Sequence, residues 1–137
     1  MRNRGFNFLK KIMGESLRQS HAENLSESIR ENLVHLLNAR QGMLPHMPDY
    51  GLPDVHKMFQ SLPKSLEALG ADIRDVIVKY EPRLKNVQVR LRQRAEDTFR
   101  ATFIITAEVR EGSRISKLTF RTEVLRDGAA ETYVVPA

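Results

Sequence analysis

The sequence contains no cysteine, so neither a disulfide bond nor a thiolate metal site can form. No apolar run approaches the roughly 20 residues that a membrane-spanning helix needs. A signal peptide is not expected, because Lys10 and Lys11 interrupt the apolar stretch behind the basic start and no small-residue cleavage site follows. There is also no Gly-rich phosphate loop and no nucleophile elbow. These absences favour a cytoplasmic protein that is not an enzyme.

Charge is unevenly distributed along the 137 residues. The net charge is +5, but residues 1–20 carry +4, residues 21–82 carry −3 and residues 83–137 carry +4. We expect residues 1–20 to form a mobile basic arm and residues 21–137 to form one domain, since 41% hydrophobic residues supply a modest core. The asymmetry is compatible with nucleic acid, an anionic surface or an acidic protein as the partner, and does not choose between them.

Three helices are predicted in the first half of the domain. Apolar residues recur at helical spacing over about residues 25–41, and Gly42 is the expected stop. A short helix is predicted at Val55–Gln60. A third helix is predicted over residues 62–80, ended by Pro82.

The apolar period changes to two in the second half of the domain. The alternating runs lie at residues 87–92, 99–110 and 118–124. Asp127-Gly128 predicts a hairpin turn before a last strand at residues 131–135. Helices followed by a strand meander indicate an α+β fold, in which the N-terminal helices pack on one face of an antiparallel β-meander.

Basic side chains on the predicted strands raise the alternative of a small basic nucleic-acid-binding domain. The candidates for one cationic sheet face are Arg90, Arg92, Arg100, Lys117 and Arg121. Sheets that bind RNA carry aromatic residues on that same face for base stacking. Here the apolar, core-facing set is predicted to hold Phe99, Phe103, Phe120 and Tyr133. A solvated or protein-binding basic face is therefore favoured, and the nucleic-acid reading is kept as the alternative.

Catalytic and metal-binding arrangements are weakly supported. Glu23, Glu27 and Glu31 lie on one helix face, but a glycosidase needs one carboxyl in an apolar setting that raises its pKa. A solvated acidic face is favoured instead. His46 and His56 bracket a loop without a clear third ligand, so neither a metal site nor a cofactor is expected.

Two segments are too particular for generic packing. The first runs from Ser28 to Asp54, through an Asn-Ala-Arg-Gln-Gly helix stop into a Pro-Asp-Tyr-Gly-Leu-Pro-Asp loop. In the second, Pro82 separates Glu81 from Arg83, and its fixed φ would set the direction of both charges for a partner that contacts them. If the two charges are buried only in a complex, alanine at either position should leave the isolated chain melting near wild type.

These segments resemble the TssE family, the small baseplate wedge subunit of bacterial type VI secretion systems. That family belongs to a wider group of contractile-tail baseplate proteins whose historical label includes "lysozyme". The resemblance implies a structural, non-enzymatic role in a cytoplasmic baseplate that docks beneath the inner-membrane complex. There the protein would join the helical bundle of the other wedge proteins to the base of the contractile sheath.

The resemblance also implies which residues meet the partners. Glu81, Pro82 and Arg83 would hold the wedge contact. The adjoining surface would be shaped by Asn38, Arg40, Asp49, Tyr50 and Gly51. No small-molecule substrate, specific nucleic acid or membrane insertion is implied.

A separate expectation concerns the sheath. An alternating edge strand studded with arginine is a template for main-chain pairing, kept soluble by its charges. We expect a sheath subunit to add a strand at the last strand of the sheet. The candidate docking edge is formed by Tyr133, Val134 and Val135.

Overall fold

The computed structural model describes residues 24–60, 64–92 and 100–136. Its elements are α1 (described over 24–38), α2 (Val55–Gln60), α3 (Lys64–Tyr80), β1 (Leu84–Arg92), β2 (Arg100–Glu111), β3 (Arg114–Leu125) and β4 (Ala130–Val134). The strands form one antiparallel sheet in the order β1-β2-β3-β4, and the helices cover its apolar face. The predicted α+β fold is confirmed. The arm expected at residues 1–20 lies outside the described residues.

Helix α1 is shorter at its end than the sequence predicts. Its buried stripe consists of Ile29, Leu33, Leu36 and Leu37. The helix ends at residue 38 rather than near 41, because Arg40 leaves the helical path to form a parallel bridge with Leu52. Gly42 has a φ of 88°, as expected for a residue just beyond a helix end.

Helix α3 packs its apolar stripe across the sheet. The stripe was predicted to end at Tyr80, which is only partly buried. The other described members are buried: Leu66, Leu69, Ile73, Val76 and Ile77. Gly70 lies on the same face, where an added Cβ would be 3.3 Å from Cε1 of Phe103 on β2. Glycine lowers helix stability by about 1 kcal/mol relative to alanine. At this position it allows α3 to approach the sheet closely.

The central strands alternate as predicted. The residues of β2 that face the core are Ala101, Phe103, Ile105, Ala107 and Val109. On β3 and β4, the buried hydroxyls of Thr122 and Thr132 bond each other at 3.0 Å, so this polar pair is satisfied inside the core. The predicted hairpin turn is confirmed, because Gly128 has a φ of 96° and Asp127 accepts a hydrogen bond from Ala129 N at 2.9 Å.

Strand β1 departs from the regular alternation that the sequence predicts. Its register with β2 shifts between Lys85 and Gln88, and Asn86 adopts a φ of 52°. Asparagine tolerates this left-handed conformation better than most residues. The extra residue is a β-bulge, and it brings Leu84 and Val87 to the core face although they are three positions apart.

Candidate docking surface

The Glu81-Pro82-Arg83 corner turns the chain from α3 into β1. The N–H of Glu81 still donates to the carbonyl of Ile77 at 2.8 Å, and Leu84 N donates to the carbonyl of Glu81 at 3.2 Å. The Glu81 side chain is only 1% exposed, whereas the Arg83 side chain is 39% exposed. The expectation of two charges awaiting a partner at the surface is therefore wrong for Glu81.

A network of polar side chains surrounds the Glu81 carboxylate. Arg83 donates from Nε to Oε1 and from Nη2 to Oε2, both at 2.8 Å. Asn32 on α1 donates from Nδ2 to Oε2 at 2.7 Å. Ser28, one turn earlier on α1, accepts from Arg83 Nη1 at 3.0 Å. The network thus ties α1 to the beginning of β1.

Electrostatics explain how a buried carboxylate is tolerated at this corner. Burial alone would raise the pKa of Glu81, but hydrogen bonds from Arg83 and Asn32 outweigh it and hold the pKa below its ordinary value. The same contact raises the pKa of Arg83. A guanidinium has five N–H donors, and three of them reach Glu81 and Ser28. Within the described residues, two donors of Arg83 remain for a partner.

The loop between α1 and α2 is closed by backbone contacts at its base. Leu52 N donates to the carbonyl of Ala39 at 2.9 Å, and Gln41 N donates to the carbonyl of Leu52 at 3.0 Å. Gly51 has a φ of 102°, and a Cβ there would lie 2.3 Å from the Ala39 oxygen. Only glycine fits this close approach.

Two loop residues fasten the loop to the end of α3. Asp49 accepts hydrogen bonds from Lys79 and from the hydroxyl of Tyr80, which lower the pKa of Asp49. Tyr50 packs edge-on against Tyr80, with ring centroids 5.1 Å apart. Because Tyr80 directly precedes Glu81, the loop and the corner form one continuous surface.

Asn38 and Arg40 play different parts at the end of α1. Asn38 donates from Nδ2 to the carbonyl of Ala130 at 2.8 Å, and its Oδ1 accepts from Ala130 N at 2.8 Å. The amide therefore bonds β4 much as a neighbouring strand would. Arg40 is exposed, and its backbone bridges Leu52 at the base of the loop.

Strand β4 is an edge of the sheet, as predicted, and β1 is the other edge. Helix α1 covers part of the β4 edge, because Asn38 holds Ala130 and Arg30 Nη1 donates to the carbonyl of Thr132 at 3.4 Å. The carbonyls of these two β4 residues are thus already engaged. A partner strand would meet an open edge only further along β4.

The open part of that edge begins at Val134. Val135 lies just beyond β4, is 37% exposed, and donates from its N–H to the carbonyl of Thr119 on β3 at 2.9 Å. Because alternate residues of an antiparallel strand bond the same neighbour, the N–H of Val134 points away from β3. The side chain of Val134 packs against the core.

Tyr133 lies on the solvent face of the sheet, so its predicted place on the core face is wrong. It is 40% exposed, its hydroxyl donates to Glu131 at 2.5 Å, and the guanidinium of Arg121 lies 4.8 Å above its ring. Pairing places Tyr133 in one row with Arg121, Ile104 and Arg90 across all four strands. A short run of three apolar residues contains no alternation from which its face could be inferred.

The described carboxylates do not form a glycosidase pair. Glu27 pairs with Arg30, which lowers the pKa of Glu27, whereas a general acid needs a raised pKa. Burial and the neighbouring Asp75 do raise the pKa of Asp72, but Asp75 is 74% exposed. Among residues 24–60, 64–92 and 100–136, no group of three His, Cys, Asp or Glu side chains could hold a metal ion. In that same part of the chain, no helix combines the length and apolarity needed to cross a membrane.

Sequence reasoning missed three members of this surface. Ser28 and Asn32 lie four residues apart on the polar side of α1, and that spacing was the available signal that they could act together. Tyr80 was assigned to the apolar stripe of α3, but its hydroxyl bonds Asp49. None of these contacts follows from spacing alone, because each joins segments distant in sequence.

The surface presents anchored backbone and positioned hydrogen-bond donors, which is the arrangement of a component that binds other proteins. Residues 23–114 match the model of the family described as baseplate wedge protein gp25. The match covers more than half of the chain, and the chain belongs to this family. The family resemblance indicated by the sequence motifs is confirmed. Among curated proteins, no sequence matches the chain.

Solved structures with a similar fold include the following two. One is a chain of the baseplate complex from the type VI secretion system, with 25% identity, a TM-score of 0.62, and coverage of 86% of this chain and 99% of that chain. The other, from Geobacter sulfurreducens, is described as a candidate tail lysozyme. It has 18% identity and a TM-score of 0.55, and the match covers 82% of this chain and 93% of that one. The second likeness concerns the fold alone.

Proposed function

We propose that this protein is a structural part of the baseplate of a type VI secretion machine. It acts in the cytoplasm beneath the inner-membrane complex and joins the other wedge subunits to the base of the contractile sheath. The observation that carries the proposal is the similarity to a chain of a type VI baseplate complex over 99% of that chain's length. Membership in the baseplate wedge protein gp25 family supports it.

The wedge contact centres on Arg83 in this proposal, with Glu81 as a positioning residue. Glu81 is buried and cannot touch a partner, but its carboxylate fixes the plane of the Arg83 guanidinium. Pro82 is exposed at the same corner. The loop with Asp49, Tyr50 and Gly51 extends the surface beside it. A partner group that accepts hydrogen bonds fits the remaining Nη1 and Nη2 donors of Arg83.

Arg83→Ala is expected to weaken binding to the other wedge proteins by about 2 kcal/mol, roughly 30-fold, because a positioned donor pair is lost from the interface. Isothermal titration calorimetry measures this affinity and should be performed at a temperature at which the variant is fully folded. Arg121→Ala is a matched control, since Arg121 is 44% exposed and also lies beside a glutamate, but on the solvent face of the sheet. Equal affinities for Arg83→Ala and wild type would remove Arg83 from the wedge contact.

The sheath contact is proposed at the open end of the β4 edge. Tyr133, Val134 and Val135 border this end, and the N–H of Val134, which points away from β3, is the donor proposed for strand addition. The engaged carbonyls of Ala130 and Thr132 limit such pairing to a short segment.

Val134→Pro should reduce sheath assembly because it removes the outward N–H without breaking a bond to β3. Val134→Ala is the control, since it trims the same side chain but keeps the donor. Sheath length and frequency can be counted by electron microscopy. Sheaths that form equally well in both variants would show that this edge is not the docking strand.

We also expect no hydrolysis of peptidoglycan. Among the carboxyls of the described residues, Asp72 has a raised pKa and is the best candidate for a general acid, yet its neighbour Asp75 is 74% exposed. The purified protein should not clear a peptidoglycan suspension. Clearing that is lost in Asp72→Asn would identify an enzyme instead.

One observation favours the nucleic-acid alternative: the ring of Tyr133 is exposed on the same sheet face as the arginines. However, Arg121 lies over that ring, and Glu123 and Glu131 share the same sheet face. Glu123 also pairs with Arg100 at 3.3 Å. Carboxylates among the arginines repel phosphate groups. A protein partner is therefore favoured.

A further inference from the structure

The tip of the loop between α1 and α2 exposes a group of apolar side chains. Met43 is 71% exposed, Leu44 is 42% exposed and Met47 is 36% exposed. These three, called the loop tip below, lie within five consecutive residues. Of the other exposed apolar residues in the described part, Val78 at 52% and Ile115 at 58% stand alone in sequence, whereas Tyr133 and Val135 belong to the candidate sheath edge.

The backbone of the loop tip is held in one shape. Gly42 N donates to the carbonyl of Pro48 at 3.0 Å, and Met47 N donates to the carbonyl of Leu44 at 3.1 Å. Tyr50 N donates to the carbonyl of Met47 at 3.0 Å. Proline at residue 48 fixes φ there as well. The entropy of ordering this loop is therefore lost on folding rather than on binding, which favours recognition by a partner.

The chemistry of the loop tip selects the kind of partner. Residues 41–48 contain no Asp, Glu, Lys or Arg, so apart from Gln41 and His46 the side chains of the tip are apolar and favour an apolar partner over an anionic one. Methionine side chains adapt to irregular apolar pockets. A contiguous, ordered apolar patch of this kind is typical of protein interaction sites.

Self-association does not account for the patch. The loop tip exposes on the order of 300 Å², so pairing two copies would bury about 600 Å², below the roughly 1,200 Å² of a stable interface. The loop that carries the patch is attached at its base to the end of α3. Asp49 ties the same loop to Lys79 and Tyr80, directly before the Glu81-Pro82-Arg83 corner.

We propose that the loop tip inserts into an apolar pocket on another wedge protein of the baseplate and forms the hydrophobic centre of that contact. This inference rests on the proposed function. Arg83 supplies oriented hydrogen bonds at one side of the interface, and Met43 and Leu44 supply its desolvated anchor. Fully buried apolar anchors of this kind carry much of the binding energy in protein interfaces.

The test is the affinity of the full chain for the purified complex of the other wedge proteins. Met43→Gln combined with Leu44→Gln should weaken binding roughly 30-fold or more while the melting temperature stays at the wild-type value. Val78→Gln combined with Ile115→Gln is the matched control, because it makes the same chemical change at exposed sites elsewhere. The control should change the affinity less than about threefold.

Several results would overturn the inference, and they separate it from the proposed function. If the loop-tip variant binds as well as its control while Arg83→Ala still weakens binding, the loop tip is not the anchor but the baseplate role stands. Binding of the chain to neutral phosphatidylcholine vesicles, or dimerisation in sedimentation, that is lost only in the loop-tip variant would assign the patch to another occupant. If the wild-type chain does not bind the wedge complex, the proposed function and this inference both fail.

Discussion

Replacing Glu81 with alanine is expected to destabilise the isolated domain by about 3 kcal/mol. Truncation leaves the Asn32 amide and the Arg83 guanidinium without their acceptor at a site where Glu81 is 1% exposed. Arg83 is 39% exposed and can turn toward water. The expected destabilisation therefore lies near the lower end of the range of about 3–5 kcal/mol that is typical when a buried ion pair loses one partner. Urea unfolding followed by circular dichroism measures the change. A variant as stable as wild type would show that the network contributes nothing to the fold.

The pH dependence of Glu81→Gln provides a second measurement of the same network. The pKa of Glu81 is depressed in the folded state, so its contribution is complete above the ordinary value of 4.5 and is lost as the pH falls through the lower folded pKa. The stability gap between wild type and Glu81→Gln should therefore be largest near neutrality and close in acid. Other carboxylates with lowered pKa, such as Asp49, titrate in both proteins and cancel in the difference.

Gly51→Ala is expected to cost about 3 kcal/mol, because it combines an unfavourable conformation with a clash. The new Cβ would lie 2.3 Å from the carbonyl oxygen of Ala39, which is the acceptor for Leu52 N. Because both atoms belong to the backbone, the base of the loop must move. Leu52, only 2% exposed, would leave its place in the core with it. Urea unfolding measures the change in stability. In an NMR spectrum of the backbone amides, the signals of Ala39 and Leu52 and their neighbours should shift.

Gly128→Ala separates the cost of the unfavourable backbone conformation from the cost of the clash. Gly128 has a φ of 96°, close to the 102° of Gly51, but an added Cβ there meets no atom within 4 Å. Its substitution should cost about 1 kcal/mol, the conformational share alone. Comparable losses of stability at both positions would mean that the backbone around Ala39 moves away from the new Cβ without an energetic cost.

The sequence predicted those parts of the fold that depend on local periodicity. The stripe of α3 and the alternation of β2 are set by spacing along the chain, and proline stopped α3 where expected. The bulge at Asn86 was not predicted, because the three-residue step from Leu84 to Val87 could mark either a bulge or the start of the strand until the pairing with β2 is known. Tyr133 was misplaced for a similar reason, since its face is set by pairing with Arg121.

The residues of the candidate surface were singled out from the sequence, but the contacts that arrange them were not. Proline and glycine restrict or widen the allowed backbone angles, so Pro82 and Gly51 could be recognised as special positions from the sequence itself. The burial of Glu81 does not, because it depends on Asn32, which lies 49 positions earlier and reaches Glu81 only after α1 packs beside the corner. Residue type therefore showed where the chain is unusual, whereas tertiary packing decides which charge faces a partner and which supports it.

The amide of Asn38 also bears on the order in which the protein completes itself during synthesis. Its two hydrogen bonds reach Ala130, 92 positions later in the chain, and Arg30 reaches Thr132 across 102 positions. Contacts this distant in sequence form late, because the intervening chain must be ordered first. The bonds from Asn38 and Arg30 to β4 therefore cannot form until the last strand has left the ribosome. A nascent chain that stops short of β4 would expose the unpaired edge of β3, and this edge is a template for aggregation.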